Sequence, residues 1–244
     1  MRYLLQAALW GAFAGSPIFF GALVGIFTNL PKKITGWIMS FGTGVLIGAA
    51  AFELLTEAVN EGGLRSTSIG FLVGALIFTL SEVIVSKRGG SDRKRSKKSS
   101  ENHSGITIFI GTIIDAIPES VIIGVSLLEQ GTVSYLMVIA VFISNFPEGL
   151  SSTVGLKKDG YSNKTILTMW VIVVFLSSVS ALIGYGLLQN TSANIISFIS
   201  AFAAGGIFAM VASTMMPEAF EEGGAIVGLI ASLGLLSSLF LSHL

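Results

Sequence analysis

Five polar residues within two long apolar segments have the types and spacing needed to bind a metal ion: Asp115, Glu119, Ser144, Asn145 and Glu148. Asp115 and Glu119 are four residues apart, as are Ser144 and Glu148, so each pair shares one face of a helix. A carboxylate inside an apolar segment is costly unless it faces a cavity or a partner, which makes it a candidate for function. Such oxygen donors suit Mg, Ca and Mn, with Zn or Fe reachable.

A proline precedes each glutamate of this group. Pro118 cannot donate to the carbonyl of Ile114, so the first helix is expected to kink and to free a backbone oxygen beside Glu119. The second segment repeats the arrangement at Pro147. Three close carboxylates without a cationic side chain would repel one another, so a bound cation, or protons in its place, is expected to compensate them. The alternative is a set of protonated, hydrogen-bonded core carboxylates.

Other carboxylates lie near the ends of two further apolar segments. Glu57 ends one segment, Glu53 lies one turn deeper, and Glu218 ends the other. Carboxylates at the two mouths of a bundle would concentrate cations where they are taken up and released. We therefore expect Glu53, Glu57 and Glu218 to line the pathway of an ion. The alternative is that these side chains face headgroups and water.

The composition excludes several kinds of active site. The chain has no cysteine, so thiolate metal sites, disulfides and cysteine nucleophiles are absent. His103 lies in a basic loop and His243 near the last residue, so neither can join the central group. An intramembrane aspartyl protease would need two facing aspartates, and the apolar segments contain only Asp115. We predict that the chain is not an enzyme, needs no catalytic cofactor and binds no nucleic acid.

The hydropathy of the chain predicts an all-α membrane protein. Apolar residues make up 52% and charged residues 11% of the 244 residues, whereas about a quarter of the residues of a soluble domain are charged. Eight apolar segments approach the ~20 residues that a bilayer requires. The predicted spans are residues 4–29, 35–58, 67–86, 105–128, 132–156, 164–188, 194–219 and 224–242. They leave no room for a soluble domain, so residues 1–244 are predicted to be a single transmembrane domain.

The positions of Lys and Arg predict the orientation. Twelve of the fourteen fall in the connections after the first, third and fifth spans, and the positive-inside rule places such connections in the cytoplasm. Both termini are then extracytoplasmic, in a multi-pass protein of the cell membrane whose partner is the lipid bilayer. Residues 87–104 are expected to be a flexible, basic cytoplasmic loop.

An internal repeat relates two parts of the chain. Residues 41–63 align without gaps to residues 202–224, and eight of 23 positions are identical. In the predicted topology the two copies run in opposite directions, as do the two Pro-Glu segments. The eight transmembrane helices are therefore predicted to form a 3+2+3 inverted-repeat bundle, an architecture typical of alternating-access transporters. Chance similarity between glycine-rich segments is the alternative.

These motifs together resemble the ZIP (Zrt-, Irt-like protein) family of divalent metal transporters. The family has eight spans and usually carries a His-Asn-x-Pro-Glu motif on span four and a related Pro-Glu motif on span five. The corresponding segments here are Asp115-Ala116-Ile117-Pro118-Glu119 and Ser144-Asn145-Phe146-Pro147-Glu148-Gly149. The short segments around Glu57 and Glu218 also resemble the second and seventh spans of the family. The resemblance covers the chain apart from the basic loop.

The resemblance implies a secondary transporter that moves divalent metal cations, such as Zn, Fe, Mn or Cd, toward the cytoplasm by alternating access. It implies one metal site formed by Asp115, Glu119 and Glu148, with Ser144 and Asn145 as auxiliary ligands. Asp115 replaces the usual histidine, which shifts the preference from zinc toward harder ions. The sequence leaves open the metal, the driving force, a second metal site and a homodimer. The alternatives are a carrier of another cation and a ZIP-like scaffold or sensor that has lost transport.

Overall fold

The computed structural model describes residues 2–28, 30–87, 104–129 and 131–243, and in these ranges the chain is helical, with short connections and no strand. The all-α prediction is therefore confirmed for the described part of the chain. Residues 88–103, which contain most of the predicted basic loop together with His103, lie outside the described residues.

Ten α-helices account for most of the described chain. In chain order they are α1 (Arg2–Gly15), α2 (Pro17–Phe27), α3 (Lys32–Gly48), α4 (Thr56–Lys87), α5 (Ser104–Glu129), α6 (Tyr135–Lys158), α7 (Asn163–Leu188), α8 (Ala193–Met210), α9 (Met216–Gly223) and α10 (Val227–Leu241). Two π-helical segments, Ala49–Leu55 and Val211–Met215, join α3 to α4 and α8 to α9. The principal helix contacts join α4 to α8, α3 to α10, α5 to α7, α2 to α6 and α1 to α7.

Within the described ranges, six helical stretches are long and apolar enough to cross a membrane: Arg2–Phe27, Lys32–Ile84, Ile108–Leu128, Tyr135–Lys158, Asn163–Leu188 and Ala193–Gly223. The second stretch covers two of the predicted spans, and its backbone leaves the helical conformation at Gly63. The last predicted span appears as the 15-residue helix α10. At 1.5 Å per residue such a helix is about 22 Å long, which is less than the ~30 Å hydrocarbon core. The eight-span arrangement therefore stays a prediction.

The surface of the described helices differs from that of a soluble domain. Large apolar side chains such as Leu9, Phe20 and Phe175 are exposed, while many serines and threonines are buried. In water such a surface would cost free energy, whereas in hydrocarbon it costs none. The described helices are therefore compatible with a membrane protein.

The two copies of the internal repeat share local structure. Both contain a π-helical segment at overlapping repeat positions, and both end at a glycine with positive φ, Gly63 and Gly224. The contacts of the two copies match as well. Gly36 packs against Gly223, and Gly62 packs against Ser197. When the alignment is continued toward the amino end, Ser197 corresponds to Gly36 and Gly223 to Gly62, so the two contacts are equivalent. Chance similarity of glycine-rich segments does not explain matched backbone irregularities and matched contacts.

Candidate metal centre

The two Pro-Glu helices, α5 and α6, form an antiparallel hairpin. Helix α6 begins where the side chain of Ser134 accepts a hydrogen bond from the backbone N–H of Met137 at 2.9 Å, a typical N-cap. The backbone N–H of Ser134 donates to Ser126 Oγ on α5 at 3.0 Å, which holds the connection against the end of α5. The caps thus fix where the two helices turn.

The far end of the hairpin fixes the relative depth of its residues. A methyl group on Gly155 would lie 3.1 Å from Ile108 Cδ1, so these residues of α6 and α5 face each other. Because both helices rise 1.5 Å per residue, counting inward from this contact brings Asp115 to about the depth of Glu148. The same count brings Glu119 to about the depth of Ser144.

The acidic side chains lie on the facing sides of the two helices. Ile108, Asp115 and Glu119 are separated by seven and four residues, a spacing that puts them on one stripe of α5. Glu148 and Gly155 share a stripe of α6 for the same reason. Because Ile108 packs against Gly155, the stripe with Asp115 and Glu119 faces the stripe with Glu148.

All five sequence-predicted ligands are buried. The exposed fraction is 3% for Asp115 and Glu119, 4% for Glu148, 2% for Ser144 and 3% for Asn145. None of these side chains is directed to the lipid. A buried carboxylate is tolerated only with compensation by hydrogen bonds, protons or a cation.

The two auxiliary residues are already engaged by the protein. Ser144 Oγ donates to the carbonyl of Val141 at 3.1 Å, and Asn145 Nδ2 donates to the carbonyl of Ala14 at 3.1 Å. The Asn145 bond ties α6 to α1 and fixes the orientation of the amide. Ser144 packs against Gly42 of α3, where a Cβ would lie 3.2 Å from the Cα of Ser144.

The complete ligand set is not assembled in this conformation. Among the residues that the structure describes, no three Asp, Glu, His or Cys side chains lie close enough together to hold one ion. Asp115 and Glu148 lie at about one depth and Glu119 lies one turn away on the same stripe, but their joint coordination of a metal remains a prediction.

Both helices continue through their prolines. Pro118 lies inside α5 and Pro147 inside α6. Since a proline has no N–H, neither can donate to the carbonyl four residues earlier, so the carbonyls of Ile114 and Ile143 lack that helical bond. These oxygens lie within one turn of Asp115 and Ser144, respectively.

One open cavity contains the carboxylates predicted for an external mouth. The Glu57 cavity, of about 460 Å³, is lined by Glu53, Glu57 and Glu61 together with Asn60 and Ser134. The three glutamates follow one another at four-residue intervals, and exposure increases from the half-buried Glu53 and Glu57 to the exposed Glu61. The structure thus brings Glu53 and Glu57 together at the end of the bundle where α5 turns into α6.

Glu218, predicted for the opposite mouth, is buried and not open to solvent. Its side chain is 2% exposed and its Oε1 accepts a hydrogen bond from Ser151 Oγ at 2.5 Å. Ser151 lies three residues after Glu148 on α6, so the bond joins the helix of the central group to α9. Sequence reasoning missed Ser151, although its place one turn beyond Glu148 was a usable signal.

A second, smaller cavity lies beside this hydrogen bond. The Glu222 cavity, of about 160 Å³, is lined by Ser151, Glu222 and Lys32, among others. Its opposite charges and smaller volume contrast with the Glu57 cavity. The two ends of the bundle therefore differ, with a larger cavity around Glu53 and Glu57 at one end and a smaller cavity beside the buried Glu218 at the other.

Comparison with known proteins gives one informative similarity. No protein-family model matches the chain. The chain is 27% identical over 228 residues to a protein of Arabidopsis thaliana named "Putative zinc transporter". The match covers 90% of this chain and 36% of that protein, so this chain spans about a third of the length of its relative.

Proposed function

We propose that the chain is a secondary transporter that carries divalent metal cations across a membrane toward the cytoplasm. Asp115, Glu119 and Glu148 are its metal ligands, with Ser144 and Asn145 as auxiliary ligands. The observation that carries the proposal is the burial of these three carboxylates on facing sides of two proline-containing helices. Similarity to a protein named as a zinc transporter supports it.

The buried carboxylates favour a cation as the substrate. In the interior, attraction between a dication and several carboxylates is far stronger than in water, and it offsets their desolvation. The ion would replace its hydration shell with carboxylate oxygens, the Ser144 hydroxyl and the carbonyls that the prolines leave without a helical bond. Three buried acids within about one helical turn of depth need such compensation, and a transported cation supplies it.

The pathway connects the two cavities through the centre. A cation enters at Glu57 and Glu53, reaches Glu119 and Asp115, and leaves past Glu218. The conformation described here has the Glu57 cavity open and the Ser151–Glu218 hydrogen bond in place. It corresponds to the externally open state of an alternating-access cycle, and rupture of the Ser151–Glu218 bond accompanies the opposite state.

The architecture that suits this cycle is a ZIP-like bundle of eight spans in a 3+2+3 inverted repeat. Matching π-helical segments and matching glycine contacts in the two repeat copies support the symmetry. The connections rich in Lys and Arg lie on the cytoplasmic side of the cell membrane. Residues 1–244 act as one transporter domain.

Uptake by proteoliposomes tests the proposal. Purified protein is reconstituted, and uptake of Zn, Mn, Fe and Cd is measured for the wild type, Glu119→Ala and Glu148→Ala. Asp159→Asn is the matched control, because Asp159 is an exposed carboxylate beyond the end of α6. We expect both central variants to lose uptake while the control keeps it. Unchanged uptake in both central variants would end the proposal.

A ZIP-like scaffold or sensor is the second candidate. One observation in its favour is Ala116, which cannot be a metal ligand although it lies in the metal motif. The other is that, among the described residues, no three acidic, histidine or cysteine side chains lie close enough together to hold one ion. This alternative predicts metal-dependent changes in the conformation of the bundle without net uptake. The same liposomes distinguish it from a transporter.

A further inference from the structure

Two hydroxyl groups on the central helices are buried without a hydrogen bond. Thr112 on α5 is 1% exposed and Ser152 on α6 is fully buried, and in the described part of the chain neither hydroxyl has a hydrogen-bond partner. Helical threonines and serines normally donate to a carbonyl three or four residues earlier. Thr43 and Thr214 do so here, at 2.7 Å and 2.6 Å.

A buried hydroxyl without a partner costs free energy, so its presence needs a reason. Two other buried serines share this property, and both lie at close helix crossings. Ser177 packs against Gly15, and Ser197 packs against Gly62. Thr112 and Ser152 lie instead on the two central helices, within one turn of Asp115 and Glu148 respectively.

Thr112 and Ser152 lie on the same side of the central carboxylates. Thr112 comes three residues before Asp115, and Ser152 comes four residues after Glu148. Because α5 and α6 are antiparallel, both steps lead in one direction, away from the Glu57 cavity. Counting from the contact between Ile108 and Gly155 places Thr112 at about the depth of Ser151 and Ser152.

The two hydroxyls also share the helix faces that carry the acids. Ser152 follows Glu148 by four residues, and Thr112 precedes Asp115 by three, so each lies within the facing stripe of its helix. The neighbouring Ser151 donates to Glu218. The hydroxyls therefore lie one turn from the central carboxylates, at about the depth of the Ser151–Glu218 hydrogen bond.

We propose that Thr112 and Ser152 form a transient oxygen site for the divalent cation on its way from Asp115 and Glu148 to Glu218. The inference rests on the proposed transport function. Hydroxyl oxygens can replace water in the shell of a hard or borderline cation, but being neutral they hold it weakly. Rapid passage requires such a weak site after a strong one, because an ion held too tightly does not leave. In this proposal the passing ion is the partner that the two hydroxyls do not have among the described residues.

Thr112→Val and Ser152→Ala test the inference through three measurements on the full chain. These are the initial rate of Mn or Zn uptake into proteoliposomes, equilibrium binding of the same metal in detergent, and the melting temperature. We expect each variant to lower the maximal uptake rate about tenfold while KM and the binding constant change less than about twofold. The melting temperature should stay the same or rise, because an unsatisfied buried hydroxyl is removed.

Two further variants make the result specific. Thr112→Ser keeps the hydroxyl and should restore the uptake rate. Ser177→Ala removes a hydroxyl that is also buried and has no hydrogen-bond partner among the described residues, but it lies on α7, so its removal should leave uptake unchanged. A hydroxyl that only stabilised the fold would lower the melting temperature on removal, whereas the inference predicts no decrease.

The possible failures are distinguishable. If the wild type transports and both Thr112→Val and Ser152→Ala transport at its rate, this inference is wrong and the proposed function stands. A loss of rate that parallels a loss of melting temperature also overturns it. If the wild type neither binds nor transports metal, the proposed function is wrong, and this inference, which rests on it, is wrong as well.

Discussion

Gly63 and Gly224 hold the same position in the two copies of the internal repeat and have nearly the same φ, 74° and 77°. Gly63 interrupts α4 and Gly224 caps α9, and in each case a π-helical segment precedes the helix. Positive φ is accessible to glycine at little cost and is unfavourable for residues with a Cβ. The two copies of the repeat thus share a glycine with positive φ as well as a pattern of residues.

Gly63→Ala and Gly224→Ala should each destabilise the protein by about 1–2 kcal/mol, because alanine is strained at positive φ. No described atom lies within 4 Å of a methyl group built at either glycine, so steric contact does not contribute. Gly228→Ala is the matched control, since its position is equally open but helical. Thermal unfolding in detergent measures the difference, and equal melting temperatures for all three variants would contradict the assignment.

Ser151→Ala should lower the free energy of unfolding by about 1–3 kcal/mol, because it removes a donor to a buried carboxylate. Glu218 cannot gain water in exchange while it stays 2% exposed. Ser232→Ala serves as the control, since Ser232 is exposed and donates only within its own helix. A Ser151 variant as stable as the control would mean that the Ser151–Glu218 hydrogen bond contributes little.

Glu57→Gln should raise the KM for metal uptake about threefold at low ionic strength and leave the maximal rate nearly unchanged, because one attracting charge leaves the Glu57 cavity. The difference should shrink at high salt as the remaining charges are screened. Initial rates at several metal concentrations, with Asp159→Asn alongside, check this. An effect on the maximal rate alone would place Glu57 in a later step.

Asp115→His should raise the preference for Zn over Mn by about tenfold, since imidazole is a softer donor than carboxylate. Competition between the two metals for binding to purified protein measures the ratio. The Asp159→His variant controls for the mere presence of another imidazole. A ratio that does not change would remove Asp115 from the ligand set.

The features that depend on local chemistry could be predicted from the sequence alone. Apolar segments predicted the helices, the spacing of Asp115 and Glu119 predicted a shared helix face, and the alignment of residues 41–63 with 202–224 predicted the repeat. Each of these follows from periodicity or from direct comparison of residues.

Other features could not be predicted because they depend on tertiary packing. The residues of the first π-helical segment, AAAFELL, are equally typical of an α-helix, so the sequence does not predict the π-helical conformation. The difference between the open Glu57 cavity and the buried Glu218 is not predicted by a repeat that treats the two glutamates as equivalent. The partner of Glu218, Ser151, lies 67 residues away in sequence, and only the packing of α9 against the rest of the bundle brings the two together.

Metal binding to the purified protein tests the central claim most directly. Titration calorimetry with Mn and Zn on the wild type, the double variant Glu119→Gln/Glu148→Gln and the control Asp159→Asn measures the affinity without requiring transport. The account predicts that the wild type and the control bind metal alike, while the double variant binds at least about tenfold more weakly, because two of three carboxylate ligands are neutralised. Wild-type affinity in the double variant would contradict it.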